Sequence, residues 1–173
     1  KLFAVILSLA MVLGMSITTF AAENVVGDKD DRGEIKVVNV DTDAKSVKAY
    51  PIIKATYKSD SNDAVFTGYE VNYTTTPAIT VNADGEFTLS QDQIAQIRAN
   101  LKTDEAIDMT KAADDTTYTA SVPVGAYLVI VEGSETSTYN AMVVSVNYKN
   151  ENGQNAIDLS KATATAKKST TPV

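Results

Sequence analysis

The stretch that decides the fold runs from Thr117 to Tyr148. It reads Thr117-Tyr118-Thr119-Ala120-Ser121-Val122, a connection Pro123-Val124-Gly125, then Tyr127-Leu128-Val129-Ile130-Val131. A polar link from Glu132 to Thr138 follows, and then Asn140-Ala141-Met142-Val143-Val144-Ser145-Val146-Asn147-Tyr148. These runs are rich in β-branched and aromatic residues and are bounded by turn formers, so they predict three strands in succession. Beyond them a weaker run, Ala156 to Leu159, precedes a tail of Thr, Ala and Lys.

Working toward the N-terminus, the β pattern continues. Ile35, Val37, Val38 and Val40 supply apolar residues to both faces, as in a strand buried on two sides, and Asp41-Thr42-Asp43-Ala44 makes a turn. Val47 to Tyr57 is a second run, in which Pro51 predicts an edge strand or a bulge. Ser59-Asp60-Ser61-Asn62-Asp63 then links it to Val65–Tyr73 as a hairpin, and Ile79-Thr80-Val81 and Phe87-Thr88-Leu89 flank Asp84-Gly85 as a second one. One helix stands out: Ser90 caps it, Gln93 closes the capping box, and Ile94, Ile97 and Leu101 share a face. A weaker helical pattern runs from Thr103 to Ala113 and ends at Asp114-Asp115-Thr116. About eight short strands with one helical insertion predict a mainly β fold, an immunoglobulin-like β-sandwich with a short helical insertion.

Composition narrows what such a fold can do. In 173 residues, 15 Lys and Arg stand against 22 Asp and Glu, a net charge of −7 with no basic stripe, which disfavours nonspecific nucleic-acid and anionic-membrane binding. Histidine and cysteine are both absent, which removes Ser-His-Asp and Cys-His catalysis, thiolate chemistry, disulfides and nearly every zinc site. A carboxylate-pair glycosidase is the enzymatic reading that survives, and the short chain leaves it little room for a sugar cleft. No cofactor and no metal is expected. Asp28 to Gly33 has a superficial likeness to the start of a calcium loop, but Arg32 stands at the fifth place and Asn39 at the twelfth, where a bidentate Glu is needed, and a solvated linker is the preferred reading.

Leu2 to Ala22 carries no charge and follows Lys1. Its apolar part gives way near Met15 to Ser16-Ile17-Thr18-Thr19-Phe20-Ala21-Ala22, too polar for an ideal membrane span, so residues 1–21 read as a signal peptide that lacks its initiator end. Cleavage after Ala21 puts small Thr19 third before the cut, whereas cleavage after Ala22 puts bulky Phe20 there, which favours Ala21. The expected organisation is a signal peptide over 1–21, a polar leader over 22–33, a β-sandwich over 34–161, and a linker over 162–173 toward a further domain. An exported chain meets a membrane only during export, and without disulfides it needs a large β-core, calcium or an unusual covalent crosslink for durability.

Three segments carry a resemblance. Val47-Lys48-Ala49-Tyr50-Pro51-Ile52-Ile53 resembles a Y-x-A-Y-x-I-F strand; Val122 to Val131 resembles L-P-x-G-x-Y-L-V; and Tyr139 to Val146 resembles Y-x-P-M-L-V-S-V, with Ala141 in place of the proline. In this order, helix included, they resemble the N-terminal domain of Gram-positive, sortase-assembled fimbrial subunits over roughly residues 33 to 173. The resemblance implies a structural, non-enzymatic subunit of a cell-wall-anchored extracellular pilus, polymerised through a lysine by a sortase and serving adhesion or colonisation. Its partners would be neighbouring pilin subunits, the sortase and host or bacterial surface receptors. An L-P-x-T-G sorting signal and an intact Y-P-K-N motif are both absent, so the sequence reads as the N-terminal part of such a subunit, with its joining lysine undetermined.

The joining chemistry needs a neutral amine that can reach an acyl-enzyme thioester. Lys161 follows Ile157-Asp158-Leu159-Ser160 at the expected end of the domain and is preferred; Lys149, in Val144-Ser145-Val146-Asn147-Tyr148-Lys149-Asn150, is the reserve. The plain alternative for both is a solvated surface lysine. Fimbrial domains of this kind also form internal Lys-Asn amides beside a buried carboxyl group, and Lys36, Asn147 and Glu132 are the best trio by pattern, against an ordinary exposed Lys36 and a loop Glu132. A glycan- or protein-binding adhesin is the alternative function, with the tyrosines Tyr50, Tyr69, Tyr118, Tyr127 and Tyr148 as a stacking platform, although their place inside β runs is more simply core packing.

Overall fold

The computed structural model describes residues 27–59 and 64–168, so the signal peptide and its cleavage at Ala21 or Ala22 lie outside the described residues. Among the described residues ten strands form: β1 Arg32–Val38, β2 Ser46–Ser59, β3 Ala64–Val71, β4 Ile107–Asp108, β5 Thr110–Lys111, β6 Tyr118–Pro123, β7 Gly125–Glu132, β8 Met142–Glu151, β9 Gln154–Asp158 and β10 Thr163–Thr165. They build two sheets. The smaller has the order β10-β1-β6-β5, and the larger β3-β2-β7-β8-β9 with β4 added to β2. All pairings are antiparallel except β1 with β10. The chain is a mainly β sandwich of immunoglobulin-like type.

The uninterrupted apolar run of β7 has a simple cause. Tyr127 and Val129 point between the sheets and pack with Ile35, Val37, Val122 and Val144. Ala126, Leu128 and Ile130 point the other way and join Tyr50, Ile52, Ile79 and Ile97 in a second core. Burying both faces of a strand removes the need for alternation, and each fully buried Leu, Ile or Val contributes about 1.5–3 kcal/mol. The second core is closed by an outer layer made from the chain between β3 and β4, which carries the helix α1, Gln91–Ala99. Ser90 caps α1 with its hydroxyl on the Gln93 N–H at 3.0 Å, and the Gln93 side-chain oxygen accepts the Ser90 N–H at 2.8 Å. Gln93 Nε2 also donates to the Pro77 carbonyl at 2.9 Å, which ties the helix to the segment beneath it.

Several expectations change on contact with this architecture. β1 buries one face, Ile35 and Val37, while Val38 is half-buried; Val40 returns to the core because Asn39 takes a positive φ of 67° and rotates the chain. Pro51 does mark a bulge, between Pro51 and Ile53, but β2 is an interior strand and not an edge. Gly125 pairs opposite Lys54 just beyond that bulge, and a Cβ there would stand 2.3 Å from the Ile53 carbonyl oxygen, so the close pairing of β7 with β2 requires glycine. The turn at Gly85 forms around Asn82, whose Oδ1 accepts the Asp84 and Glu86 N–H groups, but residues 79–89 contain no paired strand. The region from Thr103 to Ala113 is a short 3-10 turn, Thr103–Glu105, followed by β4 and β5, and not a helix. Here Glu105 is held below the usual carboxylate range, first by the Asn72 amide at 2.7 Å and then by Lys54 at 3.3 Å.

The boundaries move as well. Residues 162–168 are part of the sandwich and not a linker: β10 runs beside β1, Ala162 and Ala166 are buried, and Lys168 pairs with Asp41 at 2.8 Å. At the other end, Arg32 and Gly33 already lie in β1, and the Phe66 N–H donates to the Gly27 carbonyl at 2.9 Å, so the described part of the leader is packed against β3.

Candidate functional site

Between β9 and β10 the chain passes from the larger sheet to the smaller one, and Lys161 sits on this crossing. Its backbone is fixed on both sides. The Lys161 carbonyl accepts the Ser145 N–H at 2.9 Å, the Ala162 carbonyl accepts the Lys36 N–H at 2.9 Å, and the Ala162 N–H returns to the Leu159 carbonyl at 3.1 Å. The residue itself is exposed, and among the described residues its amine forms no salt bridge. Ahead of it, burial works to raise the Asp158 carboxyl, but the Ser160 N–H at 2.9 Å and the Ser160 hydroxyl outweigh it and hold the carboxyl low, with Lys149 and Lys161 adding their charges. The same crossing leaves Leu159 48% exposed, so Ile157 packs on the core while Leu159 does not.

Beside Lys161 lies an open groove of about 600 Å³. Its floor is the outer face of β8, where Val143, Ser145 and Asn147 point away from the inter-sheet core that Val144, Val146 and Tyr148 enter. One wall is the outer layer, with Glu86, Phe87, Leu89 and Ile94; the other is the crossing, with Ser160, Lys161 and Thr163. Gly85 closes one end so tightly that a Cβ on it would come within 2.9 Å of Asn147 Oδ1, and its φ of +80° is the left-handed backbone that the turn needs. Sequence reasoning did not find this groove. Ser145 and Asn147 lie on one predicted strand, and strand pattern alone does not show that the outer layer folds over this face of β8.

The other candidate residues are scattered. Lys149 is exposed on β8 opposite Ala156 and pairs with Glu151 at 3.4 Å. Lys36, Asn147 and Glu132 are not brought together. Lys36 is half-buried on the outer face of the smaller sheet, Asn147 is buried on the outer face of the larger one, and Glu132 is exposed at the end of β7 opposite Ser46. The sandwich core separates the first two, and no described lysine is buried, so neither the contact nor the desolvation that an internal amide needs is present in this trio. The tyrosines do not make a platform either. Tyr50, Tyr118, Tyr127 and Tyr148 are buried, and Tyr69 packs against Phe66 with ring centroids 5.1 Å apart. In the leader, the Asp28 and Asp31 carboxylates are engaged by the Asp30 and Asp28 N–H groups, at 2.8 and 2.7 Å, which makes the segment a hydrogen-bonded turn.

No family model matches the chain, and no curated protein matches it. A solved structure does: the T6 backbone pilin of serotype M6 Streptococcus pyogenes, described as a modular three-domain structure decorated with variable loops and extensions. The match has a TM-score of 0.59 at 18% identity and covers 83% of this chain and 29% of that one. The chain has a pilin-like fold. The pilin-like domain thus spans under a third of the length of the pilin it matches, and that pilin is a structural protein. Among the described residues of the pilin-like domain no helix is long and apolar enough to cross a membrane.

Proposed function

We propose that this chain is a subunit of a Gram-positive cell-surface pilus, exported by its N-terminal signal, joined to its neighbours by a sortase and anchored to the cell wall, where the fibre serves adhesion or colonisation. The observation that carries the reading is the likeness of the sandwich to a backbone pilin. In this reading the domain is a substrate, and its part is to present an amine. Lys161 suits that role better than Lys149. Its backbone is pinned by hydrogen bonds from β8 and β1 while its side chain is exposed and unpaired among the described residues, whereas the Lys149 amine is held by Glu151 at 3.4 Å.

The test is genetic and biochemical. Cell-wall extracts of the native host, boiled in detergent and probed with antibody to this domain, are expected to show a ladder of covalent multimers. Deleting the sortase that accompanies the subunit should collapse the ladder to monomer. A subunit that stays monomeric in the wild-type host contradicts the reading.

A further inference from the structure

The groove beside Lys161 has features that presenting a lysine does not require. Ser145 and Asn147 on its floor are 6% and 9% exposed, and neither side chain has a hydrogen-bond partner among the described residues. A buried carboxamide without partners is a cost that folding leaves uncompensated, and a ligand that supplies the partners offsets it. We propose that this groove binds a saccharide containing an N-acetylated hexosamine.

The chemistry of the lining favours a sugar over an extended peptide. A peptide adds to a sheet through a free backbone edge. Here β8 is bonded to β7 on one side from Met142 to Val146, β9 joins the other side from Asn147 onward, and between them the Ser145 N–H is already taken by the Lys161 carbonyl at 2.9 Å. Little backbone edge is left for a strand to add to, and the polar side chains of the lining carry the recognition instead. At the rim Glu86 and Lys161 carry opposite charges, which suits a neutral ligand. An acetamido group offers one carbonyl acceptor and one N–H donor, the complement of the Asn147 carboxamide, and ring hydroxyls can both give to and accept from the Ser145 and Thr163 hydroxyls and donate to the Glu86 carboxylate. The acetamido methyl and the C–H face of a sugar ring find apolar surface on Phe87 and Leu89. The open groove, about 600 Å³, lies in the volume range of small-ligand sites. This inference is independent of the assembly reading: the groove can bind sugar whether or not Lys161 is joined to anything.

The experiment is a titration of the 15N-labelled exported protein with N,N′-diacetylchitobiose, with lactose as the disaccharide that lacks acetamido groups. Expected are saturable amide shifts at Gly85 to Leu89 and Val143 to Asn147 with chitobiose, and affinity at least about tenfold weaker for lactose. Asn147→Leu should weaken chitobiose about tenfold while leaving the fold intact, because it replaces an unpaired amide by an apolar group of similar size. Ser145→Ala, a smaller change, should weaken it less and serves if Asn147→Leu does not fold. The proposal is overturned if chitobiose on the order of 10 mM shifts none of these amides, if lactose binds equally well, or if both variants bind like wild type. It is also overturned if a synthetic peptide such as Ser-Thr-Thr-Pro-Val moves the same amides while chitobiose does not.

Discussion

The Tyr148 hydroxyl lies 2.7 Å from Asp31 Oδ2 and 3.1 Å from the Tyr57 hydroxyl, and so fastens the segment ahead of β1 to the far end of β8. With one proton, it donates to Asp31 and accepts from Tyr57. Burial first, and with it the Asp31 carboxylate, pushes the Tyr148 phenol well above the ordinary tyrosine range. Phe66 covers the ring, with centroids 4.5 Å apart.

Tyr148→Phe keeps the packing and removes the bond, leaving the Asp31 carboxylate and the Tyr57 hydroxyl each short of a partner. The expected loss is about 2 kcal/mol, read as a lower urea midpoint with an unchanged slope. Hydrogen exchange at Asp31, whose N–H donates to the Asp28 carbonyl at 2.9 Å, should accelerate more than exchange at Val129 in the centre of β7. Unchanged stability would show that the fastening is incidental.

A second fastening responds to pH. Asp41 is lowered from 3.8, mainly by the Lys168 ammonium and then by the Ser137 hydroxyl, and Lys168 is raised from 10.5, mainly by Asp41. A depressed carboxyl stabilises the fold fully above 3.8 and loses that contribution as pH falls through its lower folded value. A raised lysine contributes fully below 10.5 and loses it as pH rises through its higher folded value. Wild type should therefore exceed Lys168→Met in urea midpoint across the neutral range, with the difference vanishing at both extremes. Lys168 is exposed and Asp41 only half-buried, so the pair is screened and the difference is small and shrinks in high salt. A difference independent of pH contradicts the pairing.

The bulge in β2 gives a sharper prediction. Gly125→Ala places a Cβ against the Ile53 carbonyl oxygen, a backbone atom that cannot rotate away, so it should cost at least about 3 kcal/mol or prevent folding. Thermal unfolding of the variant decides it, and wild-type stability would mean that β7 does not lie this close to β2 at Ile53.

What the sequence revealed followed from local rules. The runs that became β2, β6, β7 and β8 carry their own β-branched and aromatic signal, and the Ser90-Gln93 pair marks the helix start unaided. What stayed hidden is long-range. Phe87 and Leu89 alternate like a strand, yet they serve the outer layer through side-chain contacts with the second core and pair with nothing. Thr163 to Thr165 looks like a tail because its partner, β1, lies at the other end of the chain. Lys161 could be singled out as accessible, but its groove could not, since Glu86, Asn147 and Lys161 come from three distant segments. The trio of Lys36, Asn147 and Glu132 failed for the related reason that strand pattern gives a residue's face and not which sheet that face belongs to.

The central claim, that Lys161 is the amine through which this subunit is joined, is tested most directly by pilus ladders from the sortase-bearing host expressing Lys161→Arg and Lys149→Arg forms of the full-length subunit. Arginine keeps the positive charge but does not deprotonate in proteins, so it cannot serve as the nucleophile. The account predicts that Lys161→Arg abolishes the ladder while Lys149→Arg leaves it intact, and that tandem mass spectrometry of wild-type polymer finds a branched peptide at Lys161. An intact ladder in Lys161→Arg with loss in Lys149→Arg moves the role to Lys149, and intact ladders in both contradict the claim for either lysine.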